Sequence, residues 1–200
     1  FVEEIDFLGA SLNIGSQSAN FNTLSKYFPR IFELMADAVQ NPLFTQEEFE
    51  KQQAQLIEGI KSGENSVGEI AGRVESALVY GKNHPYGEFA TETTAKNVTI
   101  DDVKNFYTTY FKPNNGYLVI IGDVNFKDVK KLVTSKLSKW GKGTLPTYTI
   151  PEVKNVATTE INFVNMPNAV QSSIAVVNTV DLKMRNPDYF PLLLANKIFG

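Results

Sequence analysis

The sequence predicts an α+β fold. Apolar residues recur at helical spacing in several long segments, whereas three short runs have the length and composition of strands. The predicted strands are Tyr117–Ile121, Thr159–Val164 and Ser173–Val177. Helices and strands occur in blocks rather than in strict alternation, which is typical of α+β proteins. With 200 residues, of which 42% are hydrophobic, the chain can form one large domain or two small ones.

Six helices are predicted from apolar side chains that recur every three or four residues. They cover residues 22–40, 45–63, 66–80, 99–110, 125–140 and 187–198. Pro42 ends the first helix because its ring disfavours helical geometry at Asn41. Thr45 and Glu48 form a capping-box pattern at the start of the second. Gly81 suits the C-terminal end of the third.

The segments between these helices differ in character. Residues 82–98 are predicted to be a loop, since His84–Gly87 has the composition of a turn and a Thr/Glu-rich stretch follows it. The continuous apolar run Tyr117–Ile121 predicts a central strand covered on both faces. Residues 143–156 are rich in glycine, proline and threonine and show no helical spacing of apolar residues, which predicts a linker. The resulting division is residues 1–142, a linker at 143–156, and residues 157–200.

The composition excludes several functional classes. The chain has no cysteine, which excludes disulfides, thiolate metal sites and thiol nucleophiles within it. Its one histidine, His84, cannot form a multi-histidine metal site, and its place before a proline favours a structural role. With 19 basic and 22 acidic residues, the chain is not suited to bind nucleic acid. No apolar run approaches the roughly 18 residues of a membrane span.

Five segments share their order and spacing with one known family. They are Ile5–Asn13, Phe32–Asp37 with Asn41–Phe44, His84–Gly87, Phe106–Asn115 and Leu118–Asp123. Through them the chain resembles the insulinase/pitrilysin family of zinc metallopeptidases, which includes the mitochondrial processing peptidases. The resemblance implies an insulinase/processing-peptidase-like metallohydrolase fold: homologous α+β repeats, each a mixed or antiparallel sheet packed by helices, around an unfolded peptide. Residues 1–142 then correspond to the later part of a truncated repeat, and residues 157–200 begin a second, homologous one.

The same resemblance predicts where a zinc site would lie. The family binds zinc through two histidines of an HxxEH motif, expected here before Phe1, and through a glutamate on a later helix. Aligning Leu56–Ile60 with the family pattern puts that glutamate at Gly59 and a supporting glutamate at Gln52. Both carboxylates are missing. The resemblance therefore implies no catalytic and no metal-binding residue in this chain, with zinc expected in a catalytic partner or an upstream segment.

Glu58 does not replace the missing ligand. A helix turns by about 100° per residue, so the side chain at 58 faces away from the direction of position 59. A shift of the alignment by one residue would use Glu58, but would then place Lys51 at the supporting position. The glutamates that cluster on the second helix, such as Glu47 and Glu50, are most simply explained as a helix face exposed to solvent. The alternative is that one of them is a metal ligand together with histidines from elsewhere.

In catalytic members of the family, the strand that follows a Gly-Ala-x-x-Asn motif binds the peptide by backbone addition. The matching residues are Asn13, Ile14 and Gly15, which are the candidate peptide-binding residues. Here Ile14 and Gly15 replace the usual alanine and aromatic residue of that step.

The leading functional hypothesis is a non-catalytic half or subunit of an insulinase-like zinc protease, which helps an HxxEH-bearing partner enclose unfolded peptides. One alternative is a fragment of an active zinc metalloprotease whose HxxEH lies upstream of residue 1. A second is a peptide-binding scaffold without proteolysis. The expected partners are a homologous catalytic repeat or subunit, an unfolded peptide, and a second copy of the chain. The resemblance favours a bacterial cell envelope as the location.

Overall fold

The computed structural model describes residues 1–199, which contain eight α-helices and one two-stranded sheet. The helices are α1 Val2–Phe7, α2 Phe28–Gln40, α3 Gln46–Gly63, α4 Val67–Tyr80, α5 Glu92–Asn97, α6 Ile100–Tyr110, α7 Phe126–Leu137 and α8 Tyr189–Phe199. The strands are β1 Ser11–Ile14 and β2 Ala19–Asn22. Two short 3-10 helices, Ser25–Tyr27 and Pro113–Asn115, connect them to their neighbours. The fold is thus rich in helix with a small antiparallel sheet.

Local capping signals set the boundaries of several helices. Helix α3 begins after Thr45, whose hydroxyl accepts a hydrogen bond from the backbone N–H of Glu48 at 3.3 Å. The side chain of Ser66 accepts one from Glu69 at the start of α4, and Gly81 ends that helix with a φ of 83°. Each bond satisfies a group that a helix end leaves without an intrahelical partner. These predicted boundaries are confirmed.

Two predictions about the helices are wrong. The first helix begins at Phe28 and not at residue 22, because residues 19–22 form β2 and Pro29 takes a place in the first helical turn. The predicted loop 82–98 contains the short helix α5. Thr91 and Thr94 exchange hydrogen bonds between side chain and backbone, with N–H to Oγ1 distances of 2.8 and 3.1 Å. This reciprocal cap starts a helix in a stretch whose composition is that of a loop.

The three predicted strands do not form in the described residues. Tyr117–Ile121, Thr159–Val164 and Ser173–Val177 have no ladder partner, and the only sheet in residues 1–199 joins β1 to β2. Tyr117 and Ile121 are almost fully exposed, whereas Ile120 packs against the core at α2, so this segment is not covered on both faces as expected. Strand composition marks a segment that can pair, but pairing itself depends on a neighbour that the local sequence does not specify.

The described residues divide into two compact units. The first unit comprises residues 1–55 and 96–147, and its core is the buried face of α2, where Ile31 and Phe32 are fully buried. Apolar residues of α7, among them Val129 and Leu132, pack against this core. The second unit comprises residues 56–95 and the chain from Tyr148 onward. The division at a linker over residues 143–156 stays a prediction.

No helix within residues 1–199 is long and apolar enough to cross a membrane.

Candidate functional site

The candidate peptide-binding residues lie on the hairpin formed by β1 and β2. Its antiparallel register pairs Leu12 with Phe21 and Asn13 with Asn20. The backbone N–H of Gly15 donates to the carbonyl of Ser18 at 2.8 Å and closes the turn. Asn13 and Ile14 therefore lie in the strand, whereas Gly15 is the first residue of the turn.

The two faces of the hairpin differ in polarity, as strand alternation requires. Leu12 and Phe21 lie on the face that packs against the apolar residues of α2. The opposite face is exposed and carries only small polar side chains, namely Ser11, Asn13, Asn20 and Asn22. The apolar face anchors the hairpin, and the polar face stays open to solvent.

The register also shows which backbone groups of β1 are free. In an antiparallel ladder, pairs that exchange hydrogen bonds alternate with pairs that do not. Since the ladder is bonded at Gly15–Ser18, the next bonded pair is Asn13–Asn20. The N–H and C=O groups of Leu12 and Ile14 consequently point to the outer edge of β1, and no strand within residues 1–199 pairs with that edge.

An ion-pair network at the surface of the first unit holds the hairpin's supports in place. Arg30 of α2 donates to Glu4 of α1 through Nε at 2.6 Å and to Glu33 through Nη1 at 2.9 Å. Glu33 also pairs with Lys136 of α7. The hydrogen bond from Arg30 lowers the pKa of Glu4, and the one from Lys136, followed by that from Arg30, lowers the pKa of Glu33. The network joins α1, α2 and α7 around the core.

Helix α3 carries Gly59 and Gln52, to which the resemblance assigns the later zinc ligand and its supporting glutamate. Gly59 is exposed, and a Cβ built there would have no heavy atom within 4 Å. Gln52 lies two turns earlier on the same helix and donates to Glu48 at 2.9 Å. That bond, together with Lys51, lowers the pKa of Glu48. Position 59 therefore has open space instead of a side chain, and position 52 has a neutral amide instead of a carboxylate.

The neighbouring Glu58 is engaged elsewhere. Its carboxylate accepts a hydrogen bond from Lys61 at 3.0 Å, which raises the pKa of Lys61. Among residues 1–199, no group of three or more histidine, cysteine, aspartate or glutamate side chains is arranged to hold a metal ion. The structure thus brings no ligand set together on α3.

The single histidine belongs to a turn of the second unit. His84 is buried, its ring stacks on Tyr80 at a centroid distance of 5.2 Å, and its Nδ1 accepts the backbone N–H of Tyr86 at 3.1 Å. The ring packs the turn against Tyr80, and the acceptor nitrogen binds a backbone N–H within residues 84–87. Both contacts agree with the structural role predicted for this residue.

Comparison with known proteins identifies the relatives of this fold. The solved structure of a peptidase M16 inactive domain from Pseudomonas fluorescens is similar over 76% of this chain, with a TM-score of 0.66 and 20% sequence identity. A protease from Helicobacter pylori is similar over 76% of the chain, with a TM-score of 0.60 and 22% identity. The chain covers 39% and 38% of these two proteins. At such identities the likeness shows the fold alone. No curated protein matches the chain.

The sequence itself matches one family. Residues 97–200, more than half of the chain, match the peptidase M16 inactive domain. The match includes α6, α7 and α8 and confirms the insulinase-like resemblance of the sequence. The chain therefore belongs to the peptidase M16 inactive-domain family, the non-catalytic domain of insulinase-like peptidases.

Proposed function

We propose that this chain is a non-catalytic part of an M16 protease and helps a homologous, HxxEH-bearing repeat to enclose unfolded peptides. The single observation that carries the proposal is the state of α3. Where catalytic relatives are expected to supply a zinc-binding glutamate, this helix has Gly59 in open space. A peptidase needs that carboxylate to complete a three-ligand site.

The outer edge of β1 supports a role in enclosing the peptide. An extended peptide can add to a sheet edge through main-chain hydrogen bonds without help from catalytic side chains. The edge offers the N–H and C=O groups of Leu12 and Ile14, and the exposed face beside it carries no charge. Such a surface suits peptides of many sequences, because every peptide presents the same backbone.

The first experiment separates a non-catalytic part from a complete enzyme. Metal analysis of the full-length protein, including any residues that precede Phe1, after zinc loading and dialysis is expected to give far less than one zinc per molecule. Mixing this protein with an HxxEH-bearing homologous subunit is expected to accelerate cleavage of an unstructured peptide. Stoichiometric zinc and cleavage by the full-length protein alone would support an active protease instead. Peptide binding without any effect on a partner would support the scaffold alternative.

The second experiment tests the β1 edge. Ile14→Pro removes one outward N–H from the edge, at a position where proline is tolerated because the ladder to β2 does not use that group. Ile14→Val keeps the N–H and a β-branched side chain and serves as the matched control. We expect Ile14→Pro to weaken binding of a fluorescent unstructured peptide by about tenfold, the effect of one lost hydrogen bond. Equal binding by the two variants would argue against peptide addition at β1.

A further inference from the structure

The surface turn at residues 113–116 contains the only asparagine of this chain that precedes a glycine, Asn115. The turn joins the end of α6 to the apolar segment 117–121. Asn115 and Gly116 are both exposed, as loop residues commonly are. Asparagine is a thermally labile residue. Its side-chain amide can be attacked by the backbone nitrogen of the residue that follows, so that residue decides whether the reaction is easy.

Gly116 leaves its nitrogen open to the side chain of Asn115. Glycine has no Cβ, so no side chain stands beside the attacking nitrogen. Apart from its chain neighbours, no heavy atom lies within 4 Å of the place where a Cβ would be. The short side chain of asparagine readily reaches neighbouring backbone groups. The Cγ of Asn115 and the nitrogen of Gly116 can therefore close a ring without a steric obstacle.

The preceding asparagine shows how the same turn protects such a side chain. Asn114 donates from Nδ2 to the carbonyl of Gly143 at 2.9 Å and accepts the N–H of Gly143 through Oδ1 at 3.1 Å. The nitrogen that would attack it is also engaged, because the N–H of Asn115 donates to the carbonyl of Lys112 at 2.9 Å. Both groups that would react at Asn114 are thus held in other contacts.

Asn115 is held less firmly. Within residues 1–199, its side chain makes one hydrogen bond, from Nδ2 to the carbonyl of Tyr110 at 3.2 Å. No backbone bond of geometry comparable to that of Asn115 engages the N–H of Gly116 in this part of the chain. Once the bond to Tyr110 breaks, the Cγ of Asn115 and the nitrogen of Gly116 can approach each other.

We propose that Asn115 is a site of spontaneous covalent modification, at which the protein forms a succinimide and then isoaspartate or aspartate. The nitrogen of Gly116 loses its proton and bonds to Cγ of Asn115. The bond between Cγ and Nδ2 breaks, and the amide group takes up a proton and leaves as ammonia. Water then adds to one carbonyl of the ring and breaks the bond between that carbon and the nitrogen. Water is the only co-reactant, and no oxidant or reductant takes part.

The two products differ in the path of the main chain. Opening at Cγ gives aspartate with the ordinary backbone, whereas opening at the backbone carbonyl gives isoaspartate, whose main chain runs through Cβ and Cγ. Both products replace the Nδ2 donor by a carboxylate, which cannot donate to the carbonyl of Tyr110. This carbonyl belongs to the C-terminal end of α6, where the helix dipole disfavours a negative charge. We therefore expect the modified protein to unfold at a lower temperature.

Peptide mapping by mass spectrometry tests the site. The folded protein is incubated at neutral and at mildly alkaline pH, and the loss of ammonia and the later addition of water are located in the sequence. We expect both isoaspartate and aspartate at position 115, and faster formation at alkaline pH, because the attacking nitrogen must lose its proton. Asn114 is the internal control and should stay unmodified.

Two results of this mapping would overturn the proposal. Equal modification of Asn114 and Asn115, or none at Asn115, would mean that Gly116 gives no advantage. Aspartate without any isoaspartate would indicate direct hydrolysis of the amide and exclude the succinimide route. The proposal does not depend on the β1 edge or on α3, so its failure would leave the proposed function untouched.

Gly116→Ala tests the part played by the glycine. The backbone of Gly116 is extended, with a φ of −126° and a ψ of 158°, and a Cβ fits there without a clash. The variant keeps Asn115 and its bond to Tyr110. We expect modification to be about tenfold slower, because the new Cβ crowds the attacking nitrogen. An unchanged rate in the folded variant would overturn the role of Gly116.

Asn115→Gln is a second variant that keeps the glycine. Its longer side chain must close a larger ring, so we expect no modification at position 115 while the rest of the peptide map stays the same. Circular dichroism checks that both variants are folded. Ammonia loss from this peptide at the native rate in Asn115→Gln would assign the reaction to another residue and overturn the proposal.

Discussion

Replacing Gly59 tests whether the structure of α3 requires glycine at the position that the resemblance assigns to a zinc-binding glutamate. The residue lies inside α3, is exposed, and has no positive φ that would require glycine. A Cβ added there would meet no heavy atom within 4 Å. Replacement by alanine therefore removes the entropic cost of a helical glycine without creating a clash. We expect Gly59→Ala to stabilise the protein by about 1 kcal/mol.

The stabilisation is large enough to measure. For a chain of about 200 residues, 1 kcal/mol corresponds to a rise of about 2–4 °C in the midpoint of thermal unfolding. Urea denaturation followed by circular dichroism gives the free energy of unfolding directly, provided that the slope of the transition is the same for both proteins. Gly63→Ala is the matched control, because a Cβ there would lie 3.0 Å from Nη2 of Arg73. We expect that substitution in the same helix to give a smaller gain or a loss.

One result would refute the reasoning. If Gly59→Ala lowered the free energy of unfolding, some group would have to pack against position 59, and the glycine would have a structural purpose. If the substitution stabilises as expected, nothing in the fold of this chain demands glycine at the position where catalytic relatives are expected to have a glutamate. The absence of a carboxylate at position 59 would then have no explanation in packing.

Three further predictions concern stability. Gly87→Ala should destabilise the protein by roughly 3 kcal/mol or more in urea denaturation, because a Cβ at Gly87 would overlap the carbonyl oxygen of Gly81. A loss below about 1 kcal/mol, the average effect of a point mutation, would contradict this expectation. Tyr107→Phe should cost about 1 kcal/mol because its hydroxyl lies 2.8 Å from the last two carbonyls of α2, whereas the exposed Tyr117→Phe should be neutral. Hydrogen bonds from Lys136 and Arg30 lower the pKa of Glu33, so the stabilisation from this carboxylate is complete above its ordinary pKa of 4.5 and disappears as the pH falls through the lowered pKa of the folded state. Glu33→Gln should therefore flatten the acid side of a plot of unfolding free energy against pH. An unchanged plot would count against the ion pairs of Glu33 with Lys136 and Arg30.

Six of the eight helices in residues 1–199 could be predicted because their signals are local. Thr99 and Asp102 form a complete capping box at the start of α6, with Thr99 N–H donating to Asp102 at 2.8 Å, and both residues lie within one helical turn. Asn125 caps α7 in the same local manner. Such contacts need no distant partner, so composition and spacing are sufficient to place them.

The strands could not be placed for the opposite reason. Tyr117–Ile121 has a strand's composition, but a strand exists only when another segment bonds to it, and that requires tertiary information. Asn13 and Ile14 were predicted as site residues from the resemblance alone. Which of their backbone groups point outward followed only from the register with β2 and the bonded pair at Gly15. The sequence analysis does not single out Leu12, because a sequence motif specifies side chains and does not show the direction of a backbone N–H.

The β1 edge proposed for peptide binding has a physical property that a domain without a metal site can still use. Residues 9–25, which include β1 and β2, carry no charge. A backbone edge survives substitutions that would abolish a metal site, since most replacements leave an N–H in place. The same lack of charge removes the usual protection against edge-to-edge pairing. A domain that keeps open edges for a peptide or a partner must therefore also tend to associate with itself, and a charge that suppresses self-association at one edge should weaken recognition at that same edge.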